Sequence, residues 1–558
     1  MFIEAAFSEK IVTENDDSQK YLKVSSYFVI ASGILLRLFH YFNNRSLWED
    51  EVYLSTGLVK LNFQALFNHP LAYMQKAPLG YLLASKLCLL VFGDHEMALR
   101  LFPLICGIAS LLVFLPVVHY FLKPVGALVA ICLLAFSPQL VYHSVEAKQY
   151  ATELFATILF LYTFIIYKNK FDLKSLIIWA VYGAIIAWFS FSIVFIMAAT
   201  ACTLLINTIL KKKWSLLLRQ ALTFSFWFMS FGINYLLFSG KGAHAGWLID
   251  FYIKHDAFMP MSFHAFAWTG HQYFSFLNYP MGLSWFNAGD YDSRFHQMIF
   301  RFAWIPIIIT VAGIYYLYKN NKQLLILIFS SFILVFMAST LKLYPFHERL
   351  TVFLAPLFIL LIASGCQLFI EPEQKIYLWQ YLLLLMLLFG PVYNSLRLLK
   401  RTDLFGDYKK SYDREAFLYL NQNYLPGDIV YTYWNDLPDY NFYKMVYPLK
   451  YSGIQGNDYR YQTSSFGDYF NHLDADFKTF EGKKRVWIIF NNHFDIAIGN
   501  YIGNPSWYYA RNNGPLLFQS WLLKKGKVIQ SFHPERSGAA SNLSIWLMDF
   551  EDQKLTVH

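Results

Sequence analysis

The sequence predicts a polytopic α-helical membrane protein that carries a C-terminal α/β domain. Hydrophobic residues make up 56% of the 558 residues and charged residues 15%, against roughly 45–50% and 25% in soluble domains. The charges are unevenly distributed, since residues 397–558 alone hold 19 of the 46 Lys/Arg and 17 of the 37 Asp/Glu. We therefore expect a transmembrane domain over 1–396 and a polar α/β domain over 397–558.

Apolar segments near the length of about 20 residues that a bilayer-crossing helix needs predict about eleven transmembrane spans. They are 24–42, 97–121, 124–142, 148–167, 174–190, 192–210, 220–238, 299–318, 323–341, 350–370 and 375–396. Lysines cluster in alternate loops, which predicts a cytoplasmic N-terminus and a C-terminal domain on the opposite, outer side. The cluster Arg397, Lys400 and Arg401 is the exception, because it falls on the outer side.

Two long loops, 43–96 and 239–298, fall on the outer side. In the first loop, apolar residues between Val52 and Phe67 recur near helical spacing and predict an amphipathic helix. The short apolar segment Pro78 to Phe92 has the length of a re-entrant or interfacial helix.

The polar domain has the pattern of alternating helix and strand. Tyr412 to Asn423 is predicted to be helical, and strands are expected at Ile429 to Tyr433, Lys484 to Phe490 and Ser544 to Phe550. The five cysteines lie in apolar stretches without CxxC or zinc-ligand spacing. Neither a phosphate-binding P-loop nor a strand-associated GxGxxG motif occurs, so no soluble nucleotide site is predicted.

The strongest local signal is the acidic run Trp48 to Glu51, directly after the first span. One interpretation is a capped interfacial helix, with Asp50 as the N-cap and Glu51 in the first turn. The alternative is a general base at the membrane surface, with a neighbouring carboxylate available to a metal. The isolated motif favours the capped helix.

Other ionisable residues fall on the same side of the membrane. They are Lys76, Arg100, Glu146, Lys148, Tyr150, Glu153, His347, Glu348 and Arg349. Singly, each is typical of interface anchoring, but their convergence suits transfer of a sugar from a lipid phosphate. Arg and Lys would stabilise the departing phosphate, a carboxylate would take the acceptor's proton, and a divalent metal, if present, would orient the phosphate.

At these positions the chain resembles the C-type membrane glycosyltransferases, specifically bacterial relatives of protein O-mannosyltransferases and lipid A aminoarabinose transferase. The motifs are Ser46–Glu51, Gln75–Gly80, Phe92-Gly93, Ala98–Pro103, Tyr142–Tyr150, Tyr344–Phe346 with Arg349, Pro426–Asp428 and Arg485–Trp487. The resemblance implies an inverting transferase of a bacterial inner membrane with a periplasmic active site. Its donor would be a polyprenyl-phosphate sugar, and its acceptor a hydroxyl or phosphate of a periplasmic or lipid-linked molecule.

The resemblance also implies roles for individual residues. Asp50 corresponds to the catalytic base and Glu51 to its acidic neighbour. The cations expected to meet the donor phosphate are Lys76, Arg100, Lys148 and Arg349. The supporting or metal-binding candidates are Glu146, Tyr150, Glu153, His347 and Glu348. Two departures stand out, since relatives usually carry Asp at Glu153 and smaller residues at His347-Glu348.

Two alternatives stay open at this stage. A flippase or transporter of lipid-linked sugars would have a similar composition, but its ionisable residues should lie near the bilayer midplane. Here they gather at one face, which favours an enzyme. An O-antigen-type ligase would share the chemistry but transfer a preassembled glycan.

Overall fold

The computed structural model describes residues 16–239, 246–285, 298, 301–369, 378–492, 505–509, 513–532 and 543–551. Over residues 16–400 the described chain is helical. The helices are α1 (Asp16–Asn43), α2 (Glu49–Lys60), α3 (Phe63–Asn68), α4 (Leu79–Phe92), α5 (Glu96–Phe121), α6 (Pro124–Phe136), α7 (Pro138–His143), α8 (Tyr150–Tyr167), α9 (Leu173–Ile186), α10 (Ile193–Leu210), α11 (Trp214–Asn234), α12 (Gly246–Lys254), α13 (His264–Asn278), α14 (Trp304–Asn320), α15 (Lys322–Thr340), α16 (Ala355–Phe369) and α17 (Leu378–Lys400).

Eight helical segments of the described chain are long and apolar enough to cross a membrane. They are Tyr21–Asn43, Glu96–Phe121, Tyr150–Tyr167, Ile193–Leu210, Trp214–Phe238, Lys322–Thr340, Glu348–Phe369 and Leu378–Lys400. Shorter apolar helices are α4, α6 and α9. The polytopic helical fold with a C-terminal sheet is confirmed, whereas the number of eleven spans stays a prediction.

The predicted span 124–142 is interrupted. Helix α6 ends before Ser137, and α7 starts at Pro138. Proline lacks the backbone N–H that would continue the α6 ladder, but it suits the first position of a new helix.

The centre of the bundle is α16 with the 3₁₀ helix Glu348–Leu354 before it. Of its most apolar stretch, 89% is buried, against 28% for α1 and α17. Helices α14 and α16 approach closely, because a Cβ on Gly365 would lie 2.0 Å from the Ile309 carbonyl oxygen. This crossing therefore requires glycine.

One face of the bundle carries the first outer loop. Helix α1 ends there, α5 and α8 begin there, and α2, α3 and α4 fold over it. On the opposite face, Lys168 after α8 donates a hydrogen bond to Gln323 at the start of α15 (2.9 Å). The amphipathic and interfacial helices expected in loop 43–96 are present as α2, α3 and α4. Of the second long loop, residues 240–245 and 286–297 lie outside the described residues.

Over its described residues, the C-terminal domain contains a mixed five-stranded sheet of order β2-β1-β3-β5-β4. Its elements are α18 (Asp413–Asn423), β1 (Ile429–Thr432), α19 (Leu437–Val446), β2 (Ile454–Gln455), α20 (Phe466–Phe477), β3 (Val486–Asn491), α21 (Ser506–Tyr509), α22 (Gly514–Lys525), β4 (Lys527–Phe532) and β5 (Leu543–Asp549). Strands β1, β2 and β3 are parallel, and β5 is antiparallel to β3 and β4. The three predicted strands lie within two residues of β1, β3 and β5.

The domain packs against the first outer loop. Trp487 and Ile489 on one sheet face share a hydrophobic core with α18, α19, α2 and α4. Arg414 of α18 forms an ion pair with Glu96 (3.2 Å), and the Tyr447 hydroxyl donates to the same carboxylate (2.7 Å). These contacts fix the C-terminal domain against the start of α5.

Candidate active site

The turn between α1 and α2 is held by the buried Glu51 carboxylate. One oxygen accepts hydrogen bonds from Arg45 (2.7 Å) and Arg100 (3.0 Å). The other accepts from Arg100 Nε (3.1 Å) and the Ala147 backbone N–H (2.7 Å). Burial opposes ionisation, but the two guanidinium groups outweigh it and lower the pKa of Glu51. Glu51 thus joins the α1–α2 turn, α5 and the loop before α8.

Asp50 is directed away from this cluster and is 24% exposed. Its carboxylate lies 2.5 Å from a guanidinium nitrogen of Arg349. Burial raises the pKa of Asp50, but the Arg349 and Lys148 charges outweigh it, so the pKa is below its usual 3.8. The prediction that Asp50 is the N-cap is wrong, because Trp48 occupies that position and Asp50 is the second residue of α2.

Arg349 is the second residue of the 3₁₀ helix Glu348–Leu354, which leads the chain back into the membrane. Its guanidinium carbon lies 5.3 Å from the Trp48 ring centroid and 5.7 Å from that of Tyr150. A guanidinium stacked on aromatic rings keeps its N–H donors available at its edge. Arg349 is therefore oriented toward Asp50 by two rings from different parts of the chain.

Lys148 connects this pair with the loop before α4. It is 5% exposed, and its ammonium donates to the Gln75 side-chain oxygen (2.7 Å). Burial lowers the pKa of Lys148, whereas the Asp50 carboxylate raises it, and the net shift is downward. Lys76 follows Gln75 and is partly exposed, so the predicted loop cation lies one residue from a direct neighbour of Lys148.

A chain of buried hydrogen bonds lies behind Trp48. The Trp48 indole N–H donates to Glu146 (3.1 Å), whose second oxygen is 2.6 Å from His143 Nδ1. The other ring nitrogen of His143 is hydrogen-bonded to the Tyr279 hydroxyl, to which Lys409 donates (3.2 Å). Glu146 therefore orients Trp48 and through it the ring surface under Arg349.

Four further predicted site residues have other surroundings. Arg100 is 1% exposed and is directed into the Glu51 cluster. Glu153 accepts a hydrogen bond from Ser192 (3.1 Å) within the bundle. His347 contacts the rings of Tyr252 and His255, and Glu348 has a left-handed φ of 32°. The contacts of Arg100 and Glu153 are those of positioning groups.

An apolar cavity of about 570 Å³ opens beside the same loop. It lies between α3, α4 and the end of α9, and begins at Leu79, three residues after Lys76. Its walls include Phe63, Phe67, Leu83, Leu87, Trp188 and Phe189. The cavity wall is apolar, and the cation Lys76 lies close to it in the sequence.

The carboxylates around Asp50 fit a metal ion poorly. The Glu51 oxygens and those of Glu146 are engaged in hydrogen bonds with the chain. Within the described ranges, no group of three His, Cys, Asp or Glu side chains could hold a metal. We therefore assign no chemical step to a metal.

Comparison with known proteins finds a family whose model matches part of this chain. Residues 75–231 match the family described as dolichyl-phosphate-mannose-protein mannosyltransferase. The matched segment contains Lys76, Arg100, Glu146 and Lys148, but neither Asp50 nor Arg349. The predicted resemblance to C-type membrane glycosyltransferases is thereby confirmed over this segment.

A solved structure extends the likeness to the whole fold. ArnT from Cupriavidus metallidurans bound to undecaprenyl phosphate is 11% identical, with a TM-score of 0.50 over 93% of this chain and 97% of that chain. The same protein in its apo state gives 10% identity and a TM-score of 0.48 over 94% and 97%. No curated protein sequence matches this chain significantly.

Proposed function

We propose that this chain is an inverting glycosyltransferase that moves a sugar from a polyprenyl-phosphate donor to a hydroxyl or phosphate acceptor. The observation that carries the proposal is the contact between Asp50 and Arg349, with Lys148 beside them. A carboxylate and guanidinium in contact supply the two groups that such a transfer needs, a proton acceptor and a phosphate ligand.

The donor is a lipid in this proposal because the apolar cavity between α3, α4 and the end of α9 begins at Leu79, three residues after the cation Lys76. The polyprenyl chain would lie along α3 and α4, and its phosphate would meet Lys76, Lys148 and Arg349. Binding would exchange the Arg349–Asp50 contact for an Arg349–phosphate contact. Asp50 would then lose its strongest neutralising partner, so its pKa would rise and it would become a better base.

The chemical step forms one bond and breaks one. Asp50 takes the proton of an acceptor hydroxyl, and that oxygen attacks the anomeric carbon from the face opposite the phosphate. The bond from the anomeric carbon to the phosphate oxygen breaks, and its electron pair leaves with the lipid phosphate. Arg349 and Lys148 stabilise the charge that develops there. A phosphate acceptor would attack as an anion and need no base.

The location of the site follows from the predicted topology. Lysine-rich loops at one face predict the cytoplasmic side, and Asp50 lies at the opposite face. We therefore place the protein in a bacterial inner membrane, with its site and C-terminal domain in the periplasm.

The proposal is tested by presenting the purified protein, in lipid nanodiscs, with undecaprenyl-phosphate donors and a bacterial envelope extract that supplies hydroxyl and phosphate acceptors. One set carries a single hexose or pentose and the other a preassembled oligosaccharide. We expect consumption of a single-sugar donor and release of undecaprenyl phosphate. Cleavage of oligosaccharide donors alone would indicate a ligase. Passage of an intact lipid-linked sugar across proteoliposomes without cleavage would contradict the proposal.

A further inference from the structure

Helix α1 carries an arginine inside its membrane-spanning segment. Arg37 lies within the span Tyr21–Asn43 and is completely buried. A buried cation in a membrane helix is costly and is typical of a functional group. The chemical step proposed above does not involve Arg37, so its role has to follow from the groups that its guanidinium contacts.

The guanidinium of Arg37 closes the end of α6. Pro138 lacks the backbone N–H that the Leu134 carbonyl would accept in a continuous helix. Arg37 donates to this carbonyl (3.0 Å) and to that of Ala135 (3.1 Å), and also to Gly33 of its own helix (3.0 Å). Carbonyl groups at a helix C-terminus carry partial negative charge, which favours a cation there. Arg37 therefore ties α1 to the interrupted end of α6.

A fourth hydrogen bond links this helix end to the loop before α8. Arg37 Nε donates to the Ser144 hydroxyl (3.1 Å), which itself donates to the Leu140 carbonyl of α7 (2.8 Å). Ser144 also lies against Gly107 of α5, where a Cβ would come within 2.3 Å of the hydroxyl oxygen. The position of Ser144 is thereby fixed by three helices.

The segment that follows Ser144 supplies groups of the candidate site. Glu146 accepts a hydrogen bond from the Trp48 indole (3.1 Å). Lys148, four residues after Ser144, acts with its charge on the Asp50 carboxylate. Because this connection is so short, a shift of Ser144 would displace the ammonium that meets the donor phosphate in the proposed function.

We propose that Arg37 is a positioning residue, which fixes Ser144 to the end of α6 and so places Glu146 and Lys148 in the candidate site. This inference rests on the proposed function, because Lys148 is a ligand of the donor phosphate there. Arg37 itself does not contact the substrate. A purely structural role would lower stability but leave the phosphate affinity of the folded protein unchanged.

The test measures binding of undecaprenyl phosphate and of undecaprenol to the protein in lipid nanodiscs. Ser144→Ala removes the acceptor of Arg37 Nε without adding volume, and Arg37→Lys keeps the charge but lacks the planar fork of donors. We expect each variant to weaken undecaprenyl phosphate binding by about threefold to tenfold, the effect of one hydrogen bond. Undecaprenol binding should not change. The double variant should lose no more than Arg37→Lys alone, because both changes break the same link.

Thr163→Val is the matched control. The Thr163 hydroxyl accepts a hydrogen bond from the Trp179 indole (3.2 Å) and is also buried in the helix bundle. It lies about 20 Å along α8 from Tyr150, at the end away from the candidate site. This variant should lose stability but keep wild-type affinity for both ligands.

The outcomes separate this inference from the proposed function. Wild-type protein that does not bind undecaprenyl phosphate would overturn both. Wild-type affinity in both Ser144→Ala and Arg37→Lys would overturn only the role of Arg37. Equal losses for undecaprenyl phosphate and undecaprenol would also overturn that role, because they would show a general structural defect. If Arg37→Lys does not fold, Ser144→Ala decides on its own.

Discussion

At the scale of single residues, two adjacent carboxylates on α2 have different environments. Glu51 is buried and accepts hydrogen bonds from two guanidinium groups and the Ala147 backbone. Asp50 is partly exposed and forms an ion pair with Arg349. Glu51 therefore holds the turn, and Asp50 remains accessible to substrates.

Glu51→Gln should destabilise the protein strongly. Loss of the carboxylate charge leaves Arg45 and Arg100 buried without compensation, and breaking a buried pair costs about 3–5 kcal/mol. Thermal unfolding in detergent measures the loss, with Asp50→Asn as the neighbouring control that should shift stability by about 1 kcal/mol or less. Equal melting temperatures of the Glu51→Gln variant and the wild type would refute the structural role of Glu51.

Arg349→Lys should impair donor use although the charge is kept. A guanidinium can bind two phosphate oxygens in a planar fork, and it stacks on Trp48 and Tyr150 in a way that an ammonium does not copy. We expect kcat/KM for the donor to fall by about tenfold or more. Arg401→Lys is the control, because Arg401 pairs with Asp403 at the surface. Wild-type turnover of Arg349→Lys would identify Arg349 as an interface anchor.

At the scale of elements, α2 meets α18 and α19 across a cluster of acidic residues. Glu49 of α2 faces Asp413 and Asp439, and Asp436 faces both of those carboxyls. Both side-chain oxygens of Asp436 and one of Asp439 are buried without a hydrogen-bond partner. Burial raises the pKa of Asp413 to about 7, and also raises the pKa of Asp436 and Asp439. The contact between the two parts of the protein therefore favours protonated carboxyls.

This cluster should make the protein less stable as the pH rises. Each carboxyl binds its proton more tightly in the folded than in the unfolded chain, where Asp titrates near 3.8. Stability should therefore fall between about pH 4 and pH 7, by up to about 1.4 kcal/mol per pH unit for each group. Melting temperatures at pH 5 and pH 8 measure the effect. Asp436→Asn should flatten the dependence and surface Asp403→Asn should not, whereas a wild type that becomes more stable toward pH 8 would contradict it.

At the scale of the whole molecule, the alternation of helices brings distant residues to one face. The side of the membrane on which a loop lies follows from the number of apolar segments before it. The sequence therefore predicts that Asp50, Glu146 and Arg349 lie on the same side of the membrane. It does not show which charges pair. Arg100 was expected at a phosphate, but the packing of α5 under the α1–α2 turn directs it to Glu51. The sequence also gives no local pattern that marks Lys409, which donates to the Tyr279 hydroxyl in the hydrogen-bond chain behind Trp48.

In the sheet, too, local sequence patterns predict some features, whereas others depend on packing between distant parts of the chain. Strands β1, β3 and β5 are apolar runs bounded by turn residues, and the sequence predicts them within two residues. Strand β2 has only two residues, and β4 is a partly exposed edge strand whose pattern is weak. Strand order depends on packing across the domain, which local patterns do not encode.

The predicted topology places the C-terminal domain in the periplasm. Alkaline phosphatase fused after His558, which lies outside the described residues, should be active in a bacterial host. A fluorescent reporter that requires the cytoplasm should be dark at the same position. The reverse result would contradict both the orientation and the periplasmic site.

The central claim is that Asp50 is the catalytic base, and single-turnover transfer by Asp50→Asn tests it most directly. Asparagine keeps the size of the side chain but cannot accept the acceptor's proton. Loss of a general base lowers the rate by about 10²–10⁴. We therefore expect a folded variant that binds undecaprenyl phosphate at least as well as the wild type and transfers sugar at no more than about 1% of its rate. Wild-type transfer by folded, membrane-inserted Asp50→Asn protein would contradict the assignment.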